Sequence, residues 1–494
     1  MSVKLKLKCD PAIPLLFFFC LLLWGAYVLC ITFGDLSAFS LANKVFPPLL
    51  LIVLLGAGYW IVWRNSYMVW SPLPWFLGAC AVYYGFGPLL YHFGTPESVW
   101  YVNQFYPVGE EDLLRTNMLN AAGITLALLG YQVGMALFHR KMPVGRPKYD
   151  AVMMRRLLLV FLTIGIPIKY FLVLPYRLGL LGWILPGSIQ YFSVFTSLAI
   201  IVMFFMVHNG ERSYKIPLFL LITTELVIGL MSLSKLEVIV VLIMILLGIF
   251  LCTPKFYEFL AGGVLIGIIY IFFLSPFITF GRFAVRLEGI RSLGELSTSA
   301  LEYAQEDRID LFGQVPYVQG WWTRLNYANA QAFAMNSYDS GNPGDTYSLI
   351  PFTVVPRILY QEKPIMNRGP EFNELVTGSD HSASGAGLFG EAYWNGGWIY
   401  VILSCLYVGF VYAIFTVKSI QHISEWRLTY LPVVLIGIIT GLRPDDWFAA
   451  TFVGAFLQAI VLYLSIRYFV TPGLSYFPVF RNDRSGSPSL ECKT

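Results

Sequence analysis

The chain has 494 residues, 57% of them hydrophobic and 13% charged, with a mean hydropathy of +0.65 and a formal net charge of +4. A soluble domain carries about 25% charged residues, so this composition excludes a soluble globular protein and indicates a polytopic membrane protein. The seven cysteines, Cys9, Cys20, Cys30, Cys80, Cys252, Cys405 and Cys492, nearly all lie in or beside apolar runs and form no CxxC pair; they read as small buried hydrophobes rather than as a disulfide framework or a zinc site.

Lys4, Lys6 and Lys8 precede an apolar run from Pro11 to about Phe33, long enough to cross a hydrocarbon core of about 30 Å. A cleaved signal peptide would be shorter and end at small residues, so this run is expected to be the first span. Further apolar runs lie at about 46–63, 72–92, 117–138, 157–175, 190–207, 216–233, 236–252, 259–279, 397–416, 429–442 and 447–467. The expected fold class is therefore an all-α polytopic membrane protein with about twelve transmembrane helices and a long, partly helical extracytoplasmic loop between helices 9 and 10. The segment 178–188 is too short to span and reads as re-entrant or interfacial. The expected division is nine spans over 1–280, the loop over 281–396, three spans over 397–467 and a cytoplasmic tail over 468–494, polar after Phe480 and without core-forming composition.

Lysine and arginine gather in alternate connections. With the N-terminus inside, the inner connections hold Arg64, the Arg140–Arg156 group, Arg212 and Lys215, Lys255, Lys418 and Arg427, and the tail arginines; the outer ones hold acidic residues with few cations. This satisfies the positive-inside rule and puts both termini in the cytoplasm. The 281–396 loop, with 8 basic and 13 acidic residues, then lies outside. Within it Leu287–Leu311 has the apolar spacing of an amphipathic helix, and Gln314–Asn336 is a second helical candidate carrying Trp321 and Trp322. Those tryptophans read equally as packing for a cap or as a sugar-stacking surface.

Cations are depleted on an outer face, so those that remain there call for a reason. Lys235 lies in a short connection between two spans, and Arg177, Arg282, Arg286, Arg357 and Arg443 share its side. Pairing with Glu288, Asp445 or Asp446 and snorkelling to headgroups would account for individual members. As a group they suit a lipid-linked diphosphate, whose oxygens a guanidinium binds in bidentate fashion, and they would stabilise a departing diphosphate without a metal. Asp445-Asp446 is an adjacent acidic pair on the same face. His381, in a Ser/Gly-rich segment, and Glu391, just before the tenth span, are the acid/base candidates for taking a sugar hydroxyl proton. An exposed loop histidine and a helix-start glutamate are the plain alternatives.

The late outer loop, Pro356-Arg357-Ile-Leu-Tyr-Gln-Glu-Lys363-Pro364, the run from His381 to Gly390-Glu391-Ala-Tyr393 and the following Gly396-Gly397 together resemble the Wzy-type oligosaccharide repeat-unit polymerases of O-antigen, capsule and exopolysaccharide pathways. The resemblance covers the architecture of most of the chain and motifs only in about 230–240 and 350–397. Where that family commonly carries serine and arginine in a short outer connection, this chain has Ser232-Leu-Ser234-Lys235; the lysine keeps the charge but lacks the guanidinium fork. The resemblance implies a polytopic membrane glycosyltransferase in the bacterial cytoplasmic membrane. It would move a growing glycan from undecaprenyl diphosphate to the terminal sugar hydroxyl of a new undecaprenyl-diphosphate-linked repeat unit. Lys235, Arg282, Arg286, Arg357 and Arg443 are then expected at the diphosphates, His381 or Glu391 at proton abstraction, and Trp321, Trp322 and Tyr393 at the sugars, with no cofactor and no metal. The implied partners are the lipid-linked oligosaccharide, the bilayer, and a chain-length regulator and flippase of the same pathway; nucleic acid is not among them. An O-antigen ligase shares this plan with a different acceptor. A flippase is expected to show charges and broken helices inside its spans, and a structural subunit of an export complex would tolerate loss of His381 and Glu391.

Overall fold

A computed structural model of the chain describes residues 10–104, 106–138, 149–177, 192–275, 320–355, 368–378 and 384–471, the backbone of 4–6 and 141–143, and isolated positions between these. The helix expected over Leu287–Leu311, the bulk of segment 178–188 and the polar tail lie outside the described residues.

The described chain is almost wholly helical, and ten helices are long and apolar enough to cross a membrane. They are α1 (Ala12–Phe33), α2 (Leu36–Arg64), α3 (Pro72–Phe93), α4 (Glu110–Leu137), α5 (Ala151–Tyr176), α7 (Arg212–Met231), α8 (Lys235–Cys252), α9 (Phe256–Leu274), α12 (Gly387–Ser424) and α14 (Phe448–Tyr468). Two shorter apolar helices, α6 (Val194–His208) and α13 (Leu428–Leu442), fall on the remaining two apolar runs. The long loop contributes two further helices, α10 (Ala328–Asp339) and α11 (Gly369–Thr377), among shorter helical turns. The second loop candidate is thus interrupted. A single turn over Gly320–Thr323 precedes α10, and the two are separated by residues 324–327.

Connections collect at two ends of the bundle. At one, β1 (Lys4–Lys6) pairs antiparallel with β2 (Lys141–Pro143), Arg64 lies 3.8 Å from Asp10, Arg155 pairs with Glu211 at 3.0 Å, and Trp426 stacks on Phe205. At the other, Asn43 donates to Glu110, Trp322 donates to the Phe86 carbonyl, and Arg115 pairs with Asp339. Alternating spans require this grouping.

The most extensive helix pairing among the described residues is α4 against α12. It depends on glycine: side chains at Gly130 or Gly409 would collide with the backbone of Leu406 or of Ala127 and Tyr131. Gly130 and Gly134 have the spacing that lets membrane helices approach backbone to backbone. The α12 helix is itself broken. Gly396 (φ −168°) and Gly397 (φ 59°, ψ −150°) leave helical geometry, and the segment before the break folds back along the segment after it. Phe448 shows this, because its N–H donates to Glu391 while its ring lies 5.7 Å from that of Tyr407. In a straight helix those two positions would stand about 24 Å apart at 1.5 Å per residue. Residues 387–395 therefore form a re-entrant limb, with α10 packed against it.

Buried polar groups hold the loop helices into the bundle. The amides of Asn120 and Gln331, both almost fully buried, donate to each other at 3.0 and 2.8 Å, so α10 is fixed to α4. Such a reciprocal pair satisfies both amides where water cannot. A second buried site joins α5, α6 and α7: Lys169 Nζ lies 2.5 Å from Glu225 Oε2, which also accepts from Ser197 at 2.8 Å, while Glu225 Oε1 accepts from Tyr170 at 2.6 Å.

Candidate functional site

Three π-helical turns, Ala81–Phe86 in α3, Tyr270–Leu274 at the end of α9 and Phe448–Val453 at the start of α14, lie around the Gly441–Trp447 connection. Turns of this kind shift the register of a helix and occur often at functional sites. Here they bring Tyr83, Tyr84 and Tyr270 toward one turn of chain.

The centre of that turn is Pro444-Asp445-Asp446. The Pro444 carbonyl accepts from the Tyr84 hydroxyl at 2.6 Å and from the Leu388 N–H at 2.9 Å, which ties α3 and the re-entrant limb to it. Gly387 has φ +67° and lies against Tyr84, Pro444 and Asp445, a left-handed conformation that glycine adopts without strain. Asp445 Oδ2 accepts from the Tyr327 hydroxyl at 2.9 Å, and Tyr327 meets Tyr83 edge to face at 5.3 Å. Asp445 Oδ1 is buried and, among the described residues, accepts no hydrogen bond. Burial pushes the Asp445 carboxyl up to about 6, with Arg443 opposing the shift and Asp446 adding to it. The Tyr327 phenol is raised well above its ordinary range by burial and by Asp445.

Two of the cations expected at the diphosphates lie within this setting. Arg443 pairs through Nη2 with Asp446 Oδ2 at 2.9 Å and is partly exposed, and Asp446 also accepts from Thr451. Lys235 begins α8 after a three-residue connection in which Leu233 takes φ 48°. Its Nζ donates to the buried Ser275 hydroxyl at 2.9 Å and stands 5.5 Å over the Tyr270 ring. Tyr270 in turn is within electrostatic range of Arg324 and Asp445, and Tyr83 within range of Arg443, Asp446 and Tyr270. Lys235 and Arg324 thus lie near Tyr270, and Arg443 near Tyr83 and Asp445, from three separate parts of the chain. Arg282, Arg286, Arg357 and His381 lie outside the described residues.

Glu391 is fully buried in the re-entrant limb. One oxygen accepts from Thr346 at 2.5 Å and the other from the Phe448 N–H at 2.6 Å, while Asn395 donates to Thr346 and to the Glu391 carbonyl at 2.8 Å each. It therefore joins the loop, the limb and α14, an arrangement that serves positioning directly. Trp322 is buried, donates to the Phe86 carbonyl at 3.1 Å and stacks on the Phe86 ring at 4.7 Å; Trp321 stacks on both and is less buried. Tyr393 donates to Asp339 at 3.0 Å beside Arg115 and lies between Tyr338 and Trp398.

The sequence does not single out Tyr83, Tyr84, Arg324 or Tyr327 as functional side chains, and it marks Asp445 only as half of the acidic pair beside Arg443. The pairs that bring them together are 118 positions apart for Tyr327 and Asp445 and 360 for Tyr84 and Pro444. The only local signal was the charged Arg-Pro-Asp-Asp string between two apolar runs. Among the described residues no group of three histidine, cysteine or acidic side chains is arranged to hold a metal ion.

Comparison with protein-family models, with curated proteins and with solved structures finds no match.

Proposed function

We propose that this multi-pass membrane protein polymerises lipid-linked oligosaccharide repeat units, moving the growing glycan from undecaprenyl diphosphate to the terminal sugar hydroxyl of a new lipid-linked unit. The observation that supports this most is the approach of Lys235 and Arg324 to Tyr270, and of Arg443 to Tyr83 and Asp445, at a single end of the bundle. Cations in a low-dielectric setting stabilise a departing diphosphate far more than they would in water. The site faces the extracytoplasmic side of a bacterial cytoplasmic membrane, both termini lie in the cytoplasm, and Arg282, Arg286 and Arg357 add to the diphosphate contacts. Trp321, by its partial exposure, is the more available of the two tryptophans for stacking on a sugar.

The test is product size in a strain deleted for the gene, by gel analysis of lipid-linked and surface glycans with and without a plasmid copy. Accumulated single repeat units and a ladder restored by the plasmid are expected; full-length polymer held on the lipid carrier would instead support a ligase. Arg443→Ala and Lys235→Ala should each reduce the ladder while the protein stays in the membrane.

A second reading, transport of the lipid-linked unit, draws on the broken α12 helix and the buried Lys169–Glu225 pair, both features of transporters. Loss of a transporter would leave repeat units on the cytoplasmic side, whereas loss of a polymerase leaves single units at the outer face, a difference that selective surface labelling reads.

A further inference from the structure

Resting on the polymerase reading, we infer that Asp445 is the group that takes the proton from the attacking sugar hydroxyl. The geometry comes first. One carboxylate oxygen is oriented by the Tyr327 hydroxyl at 2.9 Å, and the other is buried and has no hydrogen-bond donor among the described residues. A buried acceptor left unsatisfied is unusual and calls for a reason; a sugar O–H is a donor of the right kind. Its carboxylate belongs to the turn that carries Arg443, so base and phosphate-binding cation are held by three consecutive residues and the Pro444 carbonyl between them is anchored twice. Glu391, by contrast, has both oxygens committed to Thr346 and Phe448.

The balance of the step is simple. The acceptor hydroxyl oxygen forms a bond to the anomeric carbon of the donor glycan as its proton moves to Asp445. The bond from that carbon to the diphosphate oxygen breaks, and its electron pair leaves with undecaprenyl diphosphate, whose charge the cations carry. Asp445 then returns the proton to water.

Among the described residues, the charged and titratable groups around Asp445 are Arg443 and Asp446 on its own turn, Tyr83 and Tyr84 from α3, Tyr270 from α9 and Tyr327 from the loop. A carboxyl raised to about 6 is ionised above that pH and protonated below it. Activity should therefore fall on the acid side with a midpoint near 6, and the Tyr327 hydroxyl, which favours the carboxylate, should hold that midpoint down.

The experiment uses membrane vesicles carrying the full chain and synthetic undecaprenyl-diphosphate-linked repeat units, with polymer length followed over pH 5–8. Asp445→Asn, at wild-type abundance in the membrane and folded throughout the assay range, should lower kcat by about a hundredfold or more with little change in KM, and Asp445→Glu should recover part of the loss. Tyr327→Phe should move the acid limb upward. Asp445→Asn polymerising at the wild-type rate, or an acid limb that stays in place in Tyr327→Phe, overturns the assignment while the polymerase reading stands. A wild-type chain that yields no polymer overturns both, and that failure appears in a different lane.

Discussion

Glu391 and Phe448 are joined by a 2.6 Å hydrogen bond from the Phe448 N–H to the Glu391 carboxylate, across a fold in which the two lie 57 positions apart. The bond closes the space between the re-entrant limb and α14, and Thr346 completes it from the loop at 2.5 Å. Glu391→Gln keeps the volume but puts an amide donor against one of two donors. It should destabilise the protein by about 1–3 kcal/mol, the range for leaving a buried group unpaired. Thermal unfolding of the detergent-solubilised protein measures this. A melting temperature equal to wild type would mean that the carboxylate does not hold these elements together.

The Lys169–Glu225 pair invites a double-mutant cycle. Lys169 is 8% exposed and Glu225 1%, and the carboxylate accepts from Lys169, Ser197 and Tyr170. Removing one partner leaves an unbalanced charge in an apolar bundle, so Lys169→Met or Glu225→Gln alone should cost about 3–5 kcal/mol. Replacing both, by Lys169→Met with Glu225→Gln, should recover much of that. Unfolding of the four proteins by denaturant checks the sign; additive losses would show that the two charges do not stabilise each other.

Glycines in the α4–α12 contact should separate from those facing open space. A methyl at Gly409 would meet the backbone of Ala127 and Tyr131, whereas none is near Gly25 or Gly56. Gly409→Ala should then destabilise by about 1–3 kcal/mol through overpacking, and Gly25→Ala should be neutral or slightly stabilising. Melting curves of the two variants decide it, and equal losses would place the glycine requirement outside this contact.

The helical runs were legible because crossing a membrane demands long uninterrupted apolar stretches, and each of the twelve in the sequence has a helix on it. Composition could not show where a helix breaks or widens. Gly396-Gly397 could be read as a resemblance motif, but the limb it turns back needs Phe448, Tyr347 and Ser404 as neighbours. The π turns left no pattern of their own. Lys235 and Arg443 stood out because charge is scarce in such a chain; Tyr83, Tyr84 and Tyr327 were hidden among 30 tyrosines. Their role comes from a turn that is remote in sequence from all three.

Asp445 also makes a prediction about stability, with a sign opposite to that of a salt-bridged carboxylate. Its carboxyl titrates near 6 in the fold because burial opposes ionisation, against about 3.9 in an unfolded chain. Between those values the folded protein holds the proton and the unfolded chain releases it. The contribution of Asp445 is therefore complete below pH about 4 and is lost as pH rises through 6, about 3 kcal/mol in all. Asp445→Asn should remove this slope, so the difference in stability between variant and wild type should grow in favour of the variant from pH 4 to pH 7. Other titrating groups cancel in that difference. Denaturation midpoints of both proteins over pH 4–8 measure it, and parallel curves would mean that Asp445 ionises in the fold as easily as in water.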